Sequence, residues 1–405
     1  LADVDVTNLV VALVLAGLAP VLVDLLPRVK VPVAVVEVLL GIVAGPQVLG
    51  LLHVDAIVDG LSDFGLAFLF FLAGIELDIG RIRGRPLATA VLGWAGTLVL
   101  AVPVALVLHA VGLRAAPLYL TLALATTALG ALLPALGDAG QLDTPLGRIV
   151  MACGSVGEFL PIVCIALLLT PSTNHLRTVL ALNVFVIVVL AGVVLARRWR
   201  PARFVRLVRQ TMHESGQLGV RVSVLLLLAL VWLAAEFGLD VLLGSFAAGV
   251  IVAQVISTAD EEGRAHLASL QVKFEGIGYG FAIPLFFVAT GATFDLRALL
   301  GSPAALLMMV GFLALFLVVR GLPSALLARR RRLVPTTAPL LLLTATALPL
   351  VVTVTDLAVR AKAMSTQVAS ALVGAAMLSM LLFPVLALEL VKRTGRPAVA
   401  AEPAR

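Results

Sequence analysis

VLLGIVAG at residues 38–45 returns 203 residues later as VLLGSFAAG at 241–249. It does not return alone. FGLAFLFFLAG (64–74) is matched by YGFAIPLFFVATG (279–291), and TTALG (126–130) by TATALP (344–349). Pro161 near the end of one apolar run is echoed by Pro384 near the end of another. Apolar segments resemble one another cheaply, so a single pair carries little weight. Four pairs in the same order, at offsets growing only from 203 to 223 residues, mark an internal repeat.

The repeat is written in membrane spans. Of the 405 residues, 61% are hydrophobic and only 13% charged, whereas soluble domains carry about 25% charge. The apolar runs are continuous rather than alternating, which points to helices and excludes a β-barrel. The net charge of +6 is scattered through the loops between runs. That distribution reports topology, not a phosphate-binding patch, so nucleic acid is not an expected partner. Cys153 and Cys164 share one apolar run and are read as reduced packing residues. Neither they nor the five histidines have metal-ligand spacing. No cleavable signal peptide is evident. No catalytic residues and no cofactor are expected, and the chain is not read as an enzyme.

Thirteen candidate spans lie at 8–26, 31–50, 62–77, 87–113, 116–137, 149–170, 178–196, 218–237, 239–256, 275–293, 302–328, 336–357 and 366–391. Of the 29 lysines and arginines, 23 fall in the loops and tail on one side and five on the other. The remaining one is Arg320, inside span 11. By the positive-inside rule the N-terminus is outside and the C-terminus cytoplasmic, in a multi-pass protein of the cell inner membrane. Repeat partners lie seven spans apart. Seven is odd, so the copies face opposite ways: spans 1–6 and 8–13 form two inverted-topology repeats, with span 7 as connector. Inverted repeats are an architecture of secondary transporters, because exchanging the conformations of two halves opens a central site to each side in turn.

Within GSVGEFLP (154–161), Glu158 is the one ionisable side chain between Ile149 and Thr170 apart from two cysteines. At the α-helical rise it stands roughly 15 Å from the cytoplasmic marker Arg148, and Arg320 roughly 13 Å from Arg329 on the same side. Thr127 and Thr346 come out near 15 Å as well, and half a hydrocarbon core is about 15 Å. Four polar groups from four spans therefore meet at the midplane. A charge there costs at least about 2.5–3.5 kcal/mol. A midplane carboxylate gains from holding a proton or a hard monovalent cation, but it cannot hold both. That competition is the chemistry of an antiporter, and it makes Glu158 the candidate exchange site, the residue on which Na+ or K+ would bind. Ser155, Thr126 and Thr127 are grouped with it as cation- or proton-binding candidates. Arg320, Thr344 and Thr346 are grouped as structural or charge partners. A competing role for Glu158 is a purely structural pair with Arg320 that locks spans 6 and 11. Gly130 and Pro349, just after the two threonine pairs, suggest helices broken near the midplane. Glu37, Glu76, Asp295 and Asp356 are read as solvated near span ends, Lys273 and Glu275 as interfacial, and the RRRR run at 329–332 as an anchor on anionic lipid. PARFVRLVRQ (201–210) is read as a cytoplasmic surface helix.

VEVLLGIVAGPQVLGLL and FLFFLAGIELD in the first half, with VLLGSFAAGVIVAQ and IPLFFVATGATFDL in the second, resemble the span signatures of the monovalent cation:proton antiporter-2 family, over roughly residues 8–392. The resemblance implies a homodimer in the lipid bilayer. Residues 1–86 (spans 1–3) and 218–297 (spans 8–10) would form a dimerisation scaffold. Residues 87–170 (spans 4–6) and 298–392 (spans 11–13) would form an ion-carrying core that moves like an elevator. Residues 171–217 would be a connector with a basic linker, and 393–405 a cytoplasmic tail. It also implies that the two broken, crossing helices are spans 5 and 12, that Glu158 is the ion-binding carboxylate, and that Arg320 is the span-11 basic residue.

The family commonly has two adjacent polar residues at the ion site, the second an acid. Here they are Gly157 and a glutamate. The aspartate–lysine pair of electrogenic relatives is missing, and arginine does not release its proton in proteins, so one-for-one electroneutral exchange is expected. No nucleotide-binding domain of the kind many relatives carry is expected after span 13. Three further readings are a potassium efflux channel-like system gated by a partner, a transport-inactive scaffold or sensor, and a carrier of organic anions. Sodium and potassium both take oxygen ligands, and one glutamate does not encode the choice.

Overall fold

The structure is a computed structural model that describes residues 6–25, 32–76, 84–168, 175–198, 217–257 and 261–393. The described chain is helical, with one isolated antiparallel bridge between Ala115 and Met364. The helices are α1 Thr7–Asp24, α2 Val33–Ala44, α3 Ala56–Glu76, α4 Arg85–Ala110, α5 Pro117–Leu124, α6 Leu129–Asp138, α7 Pro145–Leu168, α8 His175–Arg198 and α9 Leu218–Glu236. They continue with α10 Val241–Ser257, α11 Glu261–Ile277, α12 Ile283–Thr293, α13 Leu296–Leu300, α14 Pro303–Leu315, α15 Leu322–Arg330, α16 Ala338–Thr344, α17 Pro349–Arg360 and α18 Thr366–Arg393. Among the described residues eight helices are long and apolar enough to cross a membrane, and nine if the pair bent by 40° between Thr344 and Pro349 is one span. Three more apolar helices, including Val33–Ala44, are shorter.

Boundaries moved where local signals outweighed hydropathy. The second candidate span, 31–50, is helical only to Ala44, because Gly45-Pro46 turns the chain. Span 3 starts earlier than 62. Asp55 Oδ1 accepts from the amides of Ile57 and Val58, each at 3.0 Å, and so caps α3 at Ala56. The span beginning at 275 is the end of a longer helical run from Glu261 through a π-helical turn at Gly278–Ala282. Lys273 is therefore half-buried within a helix, with Nζ donating to Gln217 Oε1 at 2.9 Å. Glu37, read as solvated, is only 5% exposed, because α2 begins at Val33 and carries it a full turn inward. Asp356 does lie at an exposed helix end, paired with Arg360 at 2.7 Å. The stretch 201–210 lies outside the described residues.

The chain divides into two compact units. The first comprises residues 1–20, 37–78 and 160–293. Its helices meet backbone to backbone at glycines. A Cβ on Gly74 or Gly249 would strike the carbonyl of Phe246 or Phe71 on the facing helix, so α3 and α10 cross with no side chain between them. Gly41 and Gly291 do the same for α2 and α12, against the carbonyls of Val288 and Val38. An aromatic column of Phe64, Phe68 and Phe71 on α3 reaches Phe274, the last pair edge-on at 5.2 Å.

The second unit comprises residues 21–36, 79–159 and 294–405. Gly93 of α4 faces Ser324 of α15, and Gly321 faces the Leu341 carbonyl of α16. The segment before α5 is laced to the segment before α18: Ala116 N donates to Ala363 O (2.7 Å), and Ser365 N to Arg114 O (2.9 Å). This holds two helix starts at one level.

Gly249→Ala is expected to lower the melting temperature in detergent, by the equivalent of roughly 1–3 kcal/mol for an overpacked contact. Gly17→Ala, with nothing within 4 Å of its Cβ position, leaves it unchanged or raises it. Asp55 sits in a loop, and its carboxylate is held below the usual range by the Val58 amide, then by Asn8 and Ile57. A depressed carboxylate stabilises the fold above its unfolded pKa and stops doing so as pH falls through its folded value. The melting-temperature gap between wild type and Asp55→Ala is therefore expected to be full at neutral pH and to close below about pH 4.

Candidate functional site

Span 5 is interrupted. α5 ends at Leu124, residues 125–128 leave the helix, and α6 resumes at Leu129. Span 12 is interrupted in the same way between Thr344 and Pro349, the proline taking the first helical position, where its missing amide costs nothing. Both breaks, and the part of α7 up to Phe159, belong to the second unit. An unwound backbone away from water must find partners within the protein.

The two breaks supply one another. Ala128 N donates to Thr346 O at 2.9 Å, and Thr127 Oγ1 donates to Thr344 O at 2.9 Å. Two further helices complete the set. Thr127 N donates to Gly157 O of α7 at 3.0 Å. Ala347 N donates to the Ser379 hydroxyl of α18 at 3.1 Å, and that hydroxyl faces Ala347 O at 3.1 Å and Ala376 O at 2.7 Å. Trp94 Nε1 of α4 caps the end of α5 through Ala125 O at 3.1 Å.

Arg320 lies in a π-helical turn, Phe316–Gly321, and is fully buried. Its guanidinium reaches three oxygens: Nε to Thr127 Oγ1 (2.7 Å), Nη1 to Ser324 Oγ (3.2 Å) and Nη2 to Cys153 O (2.8 Å). The hydroxyl of Thr127 thus accepts from Arg320 while donating to Thr344 O, and with the Thr127 amide on Gly157 O it ties the first break, α7, the π-turn and α16 at one point. Glu158 is 3% exposed, one residue beyond the carbonyl that Thr127 N engages, and Ser155 is buried one turn before it.

The candidates divide into two groups. Thr127, Arg320 and the peptides of Thr344 and Thr346 converge with Gly157, the residue before Glu158. The hydroxyls of Thr126, Thr344 and Thr346 turn back to their own helices, onto Ala123 O, Leu340 O and Leu342 O. Thr344 and Thr346 therefore act through carbonyls, not side chains. Trp94, Ser324 and Ser379 belong to the site without being singled out by the sequence. A tryptophan in mid-span, away from the interface where that residue concentrates, was the available signal for the first.

The sodium/hydrogen exchanger, transmembrane family model matches residues 10–388. The chain belongs to this sodium/hydrogen exchanger family. That bears out the resemblance to monovalent cation:proton antiporters. Relatives of this chain include the putative Na(+)/H(+) antiporter YjbQ of Bacillus subtilis, 27% identical over 98% of this chain and 65% of its own length. The Na(+)/H(+)-K(+) antiporter GerN of Bacillus cereus is 24% identical over 67% of this chain and 68% of its own. The chain thus spans less than two thirds of the length of YjbQ. The sodium proton antiporter MjNhaP1 from Methanocaldococcus jannaschii shares the fold, with a TM-score of 0.61, 17% identity and coverage of 94% of this chain and 95% of that one.

Thr127→Val, which removes a donor and an acceptor from a buried crossing, is expected to cost about 1–3 kcal/mol in unfolding measurements. Thr127→Ser keeps both bonds and is expected to stay close to wild type.

Proposed function

We propose that the protein exchanges a monovalent cation, sodium or potassium, for a proton, with Glu158 as the shared site. The observation that carries this is the meeting of two interrupted helices at Thr127, hydrogen-bonded to the peptide beside a buried glutamate. Membership of an exchanger family and the names of YjbQ and GerN support the same reading. Thirteen crossings in two inverted repeats remain the architecture proposed, supported by helix on every candidate span. In this reading α4–α7 and α14–α18 carry the ion in alternating access, α1–α3 and α9–α12 form a scaffold in a homodimer, α8 connects the two halves, and the N-terminus is outside.

The proton and the cation compete for the same oxygens, so bound proton and bound cation leave the carrier with the same charge. Arg320 keeps its proton throughout, and exchange is one-for-one and electroneutral. The test is proton flux in proteoliposomes driven in turn by sodium, potassium and lithium gradients, with and without a membrane potential. Glu158→Gln is expected to reduce flux to the level of empty liposomes while the protein stays monodisperse. Wild-type flux in that variant would overturn the site. A wild-type rate that follows the potential would overturn electroneutrality, and ohmic flux indifferent to the pH gradient would mark a channel instead.

A further inference from the structure

Gly157 stands where a side chain has no room. A Cβ built there would collide with Arg320 Nη2 and come within 2.7 Å of Thr127 Oγ1 and 3.0 Å of Thr127 Cβ. The crossing glycines Gly41, Gly74, Gly249 and Gly291 differ in kind, since their nearest neighbours are backbone atoms of a packed helix. Gly154, one turn earlier on α7, has the apolar side chain of Leu129 as its nearest neighbour. At Gly157 the volume of the missing side chain is filled by a guanidinium and the hydroxyl it is bonded to, at 2.7 Å. The same residue offers its carbonyl to Thr127 N. Next along the chain is Glu158.

We infer that Gly157 is a positioning residue of the exchange site: its bare Cα, one residue before Glu158, is the berth that lets the Arg320 guanidinium lie against Thr127. This rests on the reading of Glu158 as the exchange site. The berth has two consequences. It holds a charge that does not dissociate against the Thr127 hydroxyl, in the same cluster as the peptide that precedes Glu158. It also fixes the hydroxyl that links the two breaks, because the Nε bond to Thr127 exists only while the guanidinium is in place. A methyl at 157 pushes the guanidinium aside and loosens both at once, without touching Glu158.

The experiment is a double-mutant cycle of Gly157→Ala and Arg320→Gln in the full chain, reconstituted in proteoliposomes. Sodium- and potassium-driven proton flux is measured as separate KM and kcat values, with melting temperature and size-exclusion profile as folding controls. Both single variants are expected to move the cation KM about tenfold in the same direction, and the double variant no further than the larger single, since groups acting through one contact are not additive. A Gly157→Ala protein with wild-type KM, or additive changes, would overturn the berth. Should Gly157→Ala fail to fold, the shorter glutamine of the double variant removes the collision and is expected to recover the monodisperse protein. A double variant equally unfolded overturns the inference. Glu158→Gln run alongside separates the two claims. If it retains flux, the exchange site is wrong; if it is dead while Gly157→Ala behaves as wild type, only the berth is.

Discussion

A peptide group that leaves a helix in a water-poor interior must be hydrogen-bonded by the protein or lose several kcal/mol. This protein unwinds its backbone twice in one unit, and the hydrogen bonds that answer those two breaks organise the rest of the site. Ala128 N finds Thr346 O, and the Thr127 hydroxyl finds Thr344 O, so each break answers part of the other's need. What they cannot provide comes from α4, α7 and α18, through Trp94, Gly157 and Ser379. The positions of those helices follow from this demand.

The two breaks are served unequally. The first takes a backbone carbonyl from α7, and the residue after that carbonyl is a glutamate. The second takes a serine hydroxyl from α18 that has one proton to share between Ala347 O and Ala376 O. A similar backbone need is thus met at one break by a peptide that precedes a glutamate and at the other by a neutral hydroxyl. Arg320 completes the asymmetry. A fully buried guanidinium is costly unless its donors are used, and here all three nitrogens are engaged by neutral oxygens, one of them the hydroxyl that links the breaks. Its charge is held at one spot with little freedom to move.

Much of this was legible beforehand. Glu158 and Arg320 stand out in the sequence because charges are scarce in apolar runs, and their depth follows from the helical rise and the nearest loop arginines. The breaks announced themselves through threonines followed by Gly130 and Pro349. Other features left no such trace. A serine in a span bonds to its own helix more often than to another, so nothing singled out Ser379 or Ser324. Glu37 looked solvated because hydropathy placed it near a span end, whereas the short α2 buries it. The threonines at 344 and 346 are grouped by sequence as structural partners without a choice of atom; their hydroxyls bond backward and their carbonyls face the crossing.

By itself, the order of residues determined that this chain is a bundle of apolar helices, roughly which segments they occupy, and which rare polar groups stand at similar distances along their helices from the loop charges. Those are properties of local composition and of a regular rise per residue. Only the tertiary structure decided which atoms face which: that Arg320 turns onto Thr127, Ser324 and the Cys153 carbonyl, and that Gly157 is empty so that the guanidinium has room. Partners 167 or 193 residues apart are chosen by how helices cross, and the crossing is set by glycines and unpaired peptides whose effect appears only when the facing helix is present.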